Sequence, residues 1–251
     1  MSKVFLIDIA RCVGCYNCQL ACKDEHALND WLPYAAAQPL TGQFWVKVNQ
    51  TVHGTIPKVK IHYEPQMCRH CENAACIAAC PHNAITRRAD GFVLIDPQKC
   101  TGCGECQSTC PFEVIYMNAE KHIAQKCPAC AHLLDAGETP RCVEVCPTEA
   151  LQFVDAEPED GLRAIYKNRP GRFIAGTVYD PAAEEVILGA VCRLSDGREV
   201  VTDDFGDFWF KDLPEGEYAL TVEAKGFRPK KFNALSTLGQ DVNLGDIPLE
   251  K

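Results

Sequence analysis

The sequence predicts a two-part α+β protein, in which repeated strand–loop–helix units are followed by an all-β sandwich. Three observations lead to this prediction. Sixteen of the 17 cysteines lie between Cys12 and Cys146, in four groups of four. Short apolar strands and Cys-Pro turns recur around these groups. From residue 172 onward, apolar and polar residues alternate as they do in half-buried strands.

The cysteine groups have defined spacings. In chain order they are Cys12-x2-Cys15-x2-Cys18-x3-Cys22, Cys68-x2-Cys71-x4-Cys76-x3-Cys80, Cys100-x2-Cys103-x2-Cys106-x3-Cys110 and Cys127-x2-Cys130-x11-Cys142-x3-Cys146. The first and third match the run of bacterial ferredoxins, although Lys23 replaces the final proline in the first. In such a run, three thiolates on one loop hold three corners of a 4Fe–4S cube, and the loop amides face its sulfurs. The fourth thiolate, expected on a short following helix, ligates a second cluster.

The flanking residues repeat as well. A proline follows the last cysteine at Pro81, Pro111 and Pro147, and an Ile or Leu comes four residues later. A short apolar strand ending in Asp precedes groups one and three, at 4–8 and 92–96. Strand, cluster loop, short helix and strand make a ferredoxin-like unit, so the pattern indicates duplication.

Disulfides and zinc are the competing interpretations of so many cysteines. A disulfide framework suits a small secreted domain, but it does not require the ferredoxin spacing. Zinc sites use two Cys-x2-Cys pairs rather than triplets with a distant fourth cysteine. The spacing therefore favours iron–sulfur clusters.

Cross-ligation requires the groups to pair. Only residues 81–99 separate groups two and three, which makes them a natural pair and leaves group one to pair with group four. The predicted ligand sets are Cys12, Cys15, Cys18 and Cys146 (quartet one); Cys68, Cys71, Cys76 and Cys110 (quartet two); Cys100, Cys103, Cys106 and Cys80 (quartet three); and Cys127, Cys130, Cys142 and Cys22 (quartet four). Four clusters in two interleaved units form a path for electrons across the subunit.

This four-cluster domain is expected over residues 1–151, with a hairpin inserted at about 31–65 and packed on the cluster core. Strands are predicted at 44–48 and 59–63, around a turn at 53–57. Four histidines, which could in principle be ligands, are expected to be surface or packing residues because the cysteines already complete four sites. They are His53, His62, His70 and His82.

The remaining residues divide into a linker at 152–171, within which a short helix at 161–166 fits the sequence, and a sandwich at 172–251. Turn residues at regular intervals separate the predicted strands of the sandwich. Cys192 falls on an apolar face and is predicted to be a core residue. No catalytic constellation is evident in this domain, so docking or shielding is its expected role.

Charge and hydropathy exclude some partners. The formal charge of −9 argues against nucleic acid. No apolar run reaches the roughly 18 residues of a membrane helix, so no membrane span is expected in this chain. The first eight residues offer neither a signal peptide nor a twin-arginine pair, so a cytoplasmic location is predicted, with co-export to the periplasm on a partner as the alternative.

The four-group cysteine order over residues 1–150 resembles the iron–sulfur (β) subunits of the dimethyl sulfoxide reductase family. This resemblance implies a large partner subunit that carries a molybdenum or tungsten bis-pterin cofactor. It also implies an external electron carrier, and a first cluster that lies nearest the catalytic cofactor. In relatives, groups one and four share one ferredoxin-like unit and groups two and three share the other, in agreement with the pairing above.

A narrower resemblance covers essentially the full length. Residues 42–57, 68–76 and 124–135, and the appended β domain, are similar to the β subunit of pyrogallol–phloroglucinol transhydroxylase. The resemblance implies a transthyretin- or carboxypeptidase-regulatory-like sandwich. The transhydroxylase β subunit lacks the ligands of one cluster, whereas here Cys80, Cys100, Cys103 and Cys106 are all present.

The complete set of ligands suggests that electrons enter or leave the complex. The resulting hypothesis is an electron-transfer subunit of an anaerobic phenol- or resorcinol-type hydroxylase, dehydroxylase or transhydroxylase. The alternatives are the same subunit in an inorganic or S/N-oxide reductase, and a stand-alone polyferredoxin.

Overall fold

The computed structural model describes residues 2–26, 45–55 and 58–251. The chain divides into two compact units. The first unit comprises Met1–Gln50 and Tyr63–Arg169, and the second comprises Thr51–His62 and Pro170–Lys251. None of the helices in the described ranges has the length and apolar character needed to cross a membrane.

Short elements make up the N-terminal part of the chain. Its strands are β1 (Lys3–Asp8), β2 (Val46–Thr55), β3 (Lys58–Met67), β4 (Ile85–Arg87), β5 (Val93–Ile95), β6 (Tyr116–Asn118), β7 (Ile123–Gln125), β8 (Leu151–Asp155) and β9 (Ala164–Lys167). Its helices are α1 (Asn17–Glu25), α2 (Ala75–Ala78), α3 (Glu105–Ser108), α4 (Ala131–Asp135) and α5 (Arg141–Glu144). A 3-10 turn at Ile9–Arg11 leads from β1 into the first cysteine loop.

Strand β1 is the centre of a three-stranded sheet in the first unit. It pairs antiparallel with β8 and parallel with β9, which places Phe5 beside both Phe153 and Ala164. Apolar residues predicted this strand, and its Val4, Phe5 and Ile7 are fully buried. The sheet joins the beginning of the unit to its end.

Two parts of the segment expected to be a linker belong to this sheet. Residues 151–155 and 164–167 are β8 and β9, and the unit boundary lies after Arg169. The short helix considered at 161–166 is wrong, because β9 begins at Ala164. The polar run at 155–160 is a loop between two strands of one sheet, and composition alone does not distinguish such a loop from an interdomain linker.

Two small hairpins repeat within the first unit. Strand β4 pairs with β5, placing Ile85 opposite Ile95, and β6 pairs with β7. Their buried apolar side chains form one cluster that also contains several of the cysteines. The hairpins therefore place the second and third cysteine groups around a shared apolar core.

The inserted hairpin is present and longer than predicted. Strands β2 and β3 pair with each other in a two-stranded sheet. Val46, Val48 and Met67, at its base, are buried in the core of the first unit. Residues 51–62 belong to the second unit, so only the base packs on the predicted cluster core. Residues 31–44 and the turn residues 56–57 lie outside the described ranges.

The second unit contains the predicted sandwich. Its strands are β10 (Arg172–Asp180), β11 (Glu185–Val186), β12 (Val191–Leu194), β13 (Glu199–Val201), β14 (Asp207–Leu213), β15 (Glu217–Glu223), β16 (Lys230–Ser236) and β17 (Val242–Pro248). One sheet has the order β11-β10-β14, with β17 also paired to β10, and the other has the order β13-β12-β15-β16.

Alternation along these strands fills the core of the sandwich. Phe208 and Phe210 are buried on either side of Trp209, and Tyr218, Leu220 and Val222 share one inward face. Cys192 is fully buried in the same core, as predicted. Burial raises the pKa of its thiol to about 12, which suits a packing residue.

Candidate metal centres

The loop after each first cysteine makes the same sharp turn. The residue two positions later has a positive φ in all four groups: Gly14 (68°), His70 (45°), Gly102 (71°) and Ala129 (56°). In two groups the amide of this residue donates to the cysteine sulfur, from His70 to Cys68 at 3.5 Å and from Ala129 to Cys127 at 3.4 Å. Backbone turns of this kind point amides inward and suit an anion.

The Cys-Pro turns also share one geometry. The third residue after the last cysteine has a positive φ in three groups: Asn83 (50°), Glu113 (52°) and Glu149 (52°). Its amide donates to the carbonyl oxygen of that cysteine, at 3.3, 3.2 and 3.2 Å respectively. The same three groups have four-residue helices that end two residues before the last cysteine. The third cysteine of each group therefore lies in the helix, and the fourth lies just beyond it.

Group one departs from this pattern. Lys23 stands where the other groups have proline, and α1 continues past Cys22 to Glu25. The longer helix carries both Cys18 and Cys22, and both are buried. In group four, the long spacing between Cys130 and Cys142 contains the additional helix α4.

Within quartet one, and likewise within quartet four, the thiols lie close enough to affect one another's pKa values. Burial raises the pKa of Cys18 to about 12, and the charges of the other three cysteines of quartet one add to this shift. Burial likewise raises the pKa of Cys142 well above its ordinary value, with contributions from the other three cysteines of quartet four. Each quartet draws three thiols from one group and one from the other.

Quartets two and three show the same arrangement. Burial raises the pKa of Cys76 to about 11, and the other three cysteines of quartet two add to the shift. Burial also raises the pKa of Cys106, again with contributions from its three quartet partners. Thiols with raised pKa values are poor ligands when alone, but a bound metal deprotonates them. The assignment of each quartet to one cluster stays a prediction.

Two of the quartets surround cavities. All four cysteines of quartet two line one open cavity, and all four of quartet three line another. Apolar residues such as Val93, Ile85 and Ala124 complete the walls. A largely apolar cavity with four thiols on its wall fits an iron–sulfur cluster.

Buried hydrogen-bond donors without a partner also support a cluster beside quartet two. Arg69 and His70 lie between Cys68 and Cys71 and line the same cavity. The Nε of Arg69 and the Nε2 of His70 are buried and have no hydrogen-bond partner among the described residues. The His70 Nδ1 accepts a bond of 3.1 Å from the Val93 amide, so Nε2 carries the proton. Unsatisfied buried donors are costly, and cluster sulfurs are acceptors that would satisfy them.

A single metal ion needs a different geometry. Within residues 2–26, 45–55 and 58–251, no three or more His, Cys, Asp or Glu side chains are arranged to hold one ion. Four sulfurs around one zinc, each about 2.3 Å from it, approach each other more closely than thiolates placed around a cube.

Exposure differs between the quartets. Cys15 of quartet one and Cys103 of quartet three are exposed, whereas all four thiols of quartet four are buried.

The charge of Cys68 contributes to the raised pKa of Cys127, after the larger effect of burial, so quartets two and four are neighbours. Cys18 contributes in the same way to Cys142, which links quartets one and four. Quartet four is therefore adjacent to both quartet one and quartet two.

Several polar residues around the quartets were not anticipated from the sequence. His26 Nε2 lies 3.7 Å from Cys130 Sγ, and burial lowers the pKa of this histidine to about 4. Glu25 bonds to both His132 and Arg141, each at 2.8 Å, which lowers the pKa of Glu25. Lys126 is buried beside quartet two. The spacing of the cysteines contains no signal for any of these residues.

The histidines weighed as ligands occupy varied positions. His70 is fully buried, and burial lowers its pKa well below the ordinary value. His82 is exposed at the edge of the quartet three cavity. In the second unit, His53 pairs with Asp241 at 2.8 Å and packs edge-on against His62. These contacts agree with the expected packing and surface roles.

Family models match both parts of the chain. The model described as a 4Fe-4S binding domain matches residues 9–28, and the 4Fe-4S dicluster domain matches residues 59–156. The carboxypeptidase regulatory-like domain matches residues 174–250. The 4Fe–4S cofactors and the type of the C-terminal sandwich are thereby confirmed.

Similar proteins confirm the predicted resemblance. The pyrogallol hydroxytransferase small subunit of Pelobacter acidigallici is 37% identical over 97% of this chain and 98% of its own length. The B subunit of the anaerobic dimethyl sulfoxide reductase of Escherichia coli (strain K12) is 38% identical over 63% of this chain and 75% of its own. The thiosulfate reductase electron transfer subunit PhsB of Salmonella typhi is 35% identical over 70% of this chain and 90% of its own.

Proposed function

The chain belongs to the family of the pyrogallol hydroxytransferase small subunit, and from this premise we propose that it carries four 4Fe–4S clusters in two interleaved ferredoxin-like units. These clusters relay electrons between a large catalytic subunit with a molybdenum or tungsten bis-pterin cofactor and an external carrier. When bound, the clusters supply one-electron redox chemistry. The protein's own residues bind them, exclude water and fix their order.

The main support is the grouping of the sixteen thiols. Each quartet combines cysteines from two sequence groups, and the combinations are those that cross-ligation requires. Two quartets line cavities of their own. A stand-alone polyferredoxin also has such quartets, but it does not need the C-terminal sandwich.

Burial and adjacency support a proposed order of the clusters. Quartets one and three each have an exposed cysteine, Cys15 and Cys103, whereas quartet four is buried throughout. Quartet four neighbours quartet one through Cys18 and quartet two through Cys68. The proposed path is therefore one, four, two and three, with electron exchange at its two ends. By analogy with the family, we propose that the catalytic subunit meets the quartet one end.

The extent of the likeness favours an aromatic substrate. The Pelobacter acidigallici relative matches 97% of the chain, including the sandwich, whereas the dimethyl sulfoxide reductase subunit of E. coli matches 63%. Quartet three is complete here, so electrons have an exit to a carrier. We therefore place the subunit in an anaerobic hydroxylase or reductive dehydroxylase of phenol- or resorcinol-type compounds. A sulfoxide or thiosulfate reductase is the second candidate.

The purified complex tests this proposal. We expect a large pterin-containing subunit to co-purify with the chain, and resorcinol-type substrates to exchange electrons with a viologen dye through the complex. Turnover of dimethyl sulfoxide or thiosulfate instead would favour the second candidate. A complex that only transfers hydroxyl groups internally, with no electron exchange with any dye, would contradict the proposed carrier.

The cytoplasmic location stays a prediction, which fractionation of cells tests.

A further inference from the structure

Lys126 is a buried cation in the first unit. Its side chain is only 4% exposed, and its ammonium group donates to the carbonyl oxygens of Val93 and Cys127. No carboxylate in the described part of the chain forms an ion pair with it. A charge removed from water is strongly unfavourable unless opposite charge lies nearby. The residues around Lys126 must therefore provide that opposite charge.

Lys126 lies between two quartets. It lines the quartet two cavity together with all four cysteines of that set. Its ammonium group also donates to the carbonyl oxygen of Cys127, a predicted ligand of quartet four, at 3.2 Å. Cys127 and Cys68 are themselves neighbours across the two quartets. The ammonium group is thus close to the point where one ferredoxin-like unit meets the other.

The four repeats provide an internal comparison. The residue before the first cysteine is Arg11, Met67, Lys99 or Lys126. Arg11 is partly exposed and pairs with Glu149, and the Lys99 side chain is 61% exposed. Met67 is buried but apolar. Only at Lys126 does this repeated position hold a buried charge, so the charge is not a requirement of the loop itself.

We propose that Lys126 is a positioning residue that stabilises the reduced forms of the clusters in quartets two and four, and so promotes electron passage between the two ferredoxin-like units. This inference rests on the proposed function. A thiolate-ligated cluster is anionic and becomes more so when it accepts one electron, and a fixed positive charge lowers the energy of that state. One electron leaves one cluster and enters the next, with no bond formed or broken. Lys126 and its hydrogen bonds remain in place throughout the transfer.

The midpoint potentials of the clusters test this role. In the intact complex, reduced stepwise by dithionite with viologen mediators, Lys126→Gln removes the charge but retains a group that can donate to the Val93 carbonyl oxygen. We expect electron paramagnetic resonance to show two of the four potentials shifted to more negative values. Lys99→Met, at the equivalent position of the third repeat, should leave all four potentials unchanged because the side chain of Lys99 is exposed.

Four unchanged potentials in Lys126→Gln would overturn the inference. If Lys126→Gln fails to retain its full iron content, Lys126→Arg decides the matter. Retention of iron by the arginine variant supports a need for positive charge at this position, and loss of iron from it as well contradicts that need. A wild-type complex with fewer than four reducible clusters would instead count against the proposed function.

Discussion

At the scale of single residues, two glycines of the third cysteine loop provide a matched pair. Gly102 and Gly104 both have positive φ values, of 71° and 82°. A Cβ on Gly102 would lie 2.4 Å from the His122 carbonyl oxygen, whereas a Cβ on Gly104 would meet nothing within 4 Å. Both substitutions by alanine thus carry the same conformational strain, but only one adds a clash with backbone.

We predict that Gly104→Ala costs about 1–2 kcal/mol, and that Gly102→Ala costs about 2–5 kcal/mol because overpacking adds to the strain. The check is the thermal midpoint at which the visible absorption of the clusters disappears under anaerobic conditions. Equal midpoints for the two variants would contradict the close approach of His122.

Cys80 tests the pairing of the groups. Although it is the last cysteine of group two, its charge adds to the increase that burial causes in the pKa of Cys106, in quartet three. We predict that Cys80→Ser perturbs or removes the cluster of quartet three and preserves that of quartet two, with a loss of at most about four iron atoms. Iron analysis and electron paramagnetic resonance measure this result.

Cys192→Ala is the control for Cys80→Ser. It should retain all of the iron and cost about 1 kcal/mol, through the small cavity that it leaves. Loss of the quartet two spectrum in Cys80→Ser, with the quartet three spectrum intact, would refute the pairing.

The ligand cysteines were accessible from the sequence, but the residues that surround them were not. Binding of a cluster by thiolates restricts the spacing of cysteines along the chain, so the spacing indicates which cysteines are ligands. Lys126 stands at a position that is basic in three of the four repeats, and nothing in the sequence separates it from the exposed Lys99. His26 meets Cys130 only in the folded chain, since 104 positions separate them.

At the scale of elements, α1 differs from the helices of the other cysteine groups because it continues past the last cysteine of its group. This difference leads to a prediction. Proline follows the last cysteine of three groups, but Lys23 lies within α1. Lys23→Pro should therefore destabilise the protein by about 3 kcal/mol, even though proline is what the other repeats carry. A proline ring at this position would clash with the carbonyl group of Gln19, whose side chain accepts a bond of 2.8 Å from the Val48 amide.

The thermal midpoint of cluster loss measures this effect too. Lys23→Ala serves as the control and should stay within about 0.5 kcal/mol of the wild type. If the proline variant proved as stable as the alanine variant, α1 would end at Cys22. The claim that this helix is longer than those of the other cysteine groups would then be wrong.

Strands in which apolar and polar residues alternate were predicted well. Strands whose place depends on pairing with a distant part of the chain were not. The sandwich strands followed from period two because each has one inward face. Strands β8 and β9 are short and flank a polar loop, and their place on either side of β1 depends on a strand about 150 residues earlier. Long-range pairing of this kind leaves little trace in local composition.

At the scale of the whole molecule, the two units depend differently on the clusters. The core of the first unit includes ligand cysteines, among them Cys18, Cys68 and Cys127. The core of the second unit is built from apolar side chains such as Phe208 and Leu220, and its cysteine, Cys192, belongs to no quartet. We expect removal of iron by a chelator to unfold the first unit and to leave the second folded.

Hydrogen exchange before and after chelation measures this difference. Amides of β1 and β8 should lose protection, whereas those of β12 and β15 should keep it. Simultaneous loss of protection in both units would show that the sandwich requires the clusters, contrary to its separate core.

The number of clusters is the claim on which the electron path depends. Combined analysis of iron and acid-labile sulfide, on protein prepared without oxygen, tests it most directly. Four cubanes predict about 16 iron atoms and about 16 sulfides per chain. A native protein with no inorganic sulfide, or with zinc in place of iron, would contradict the account.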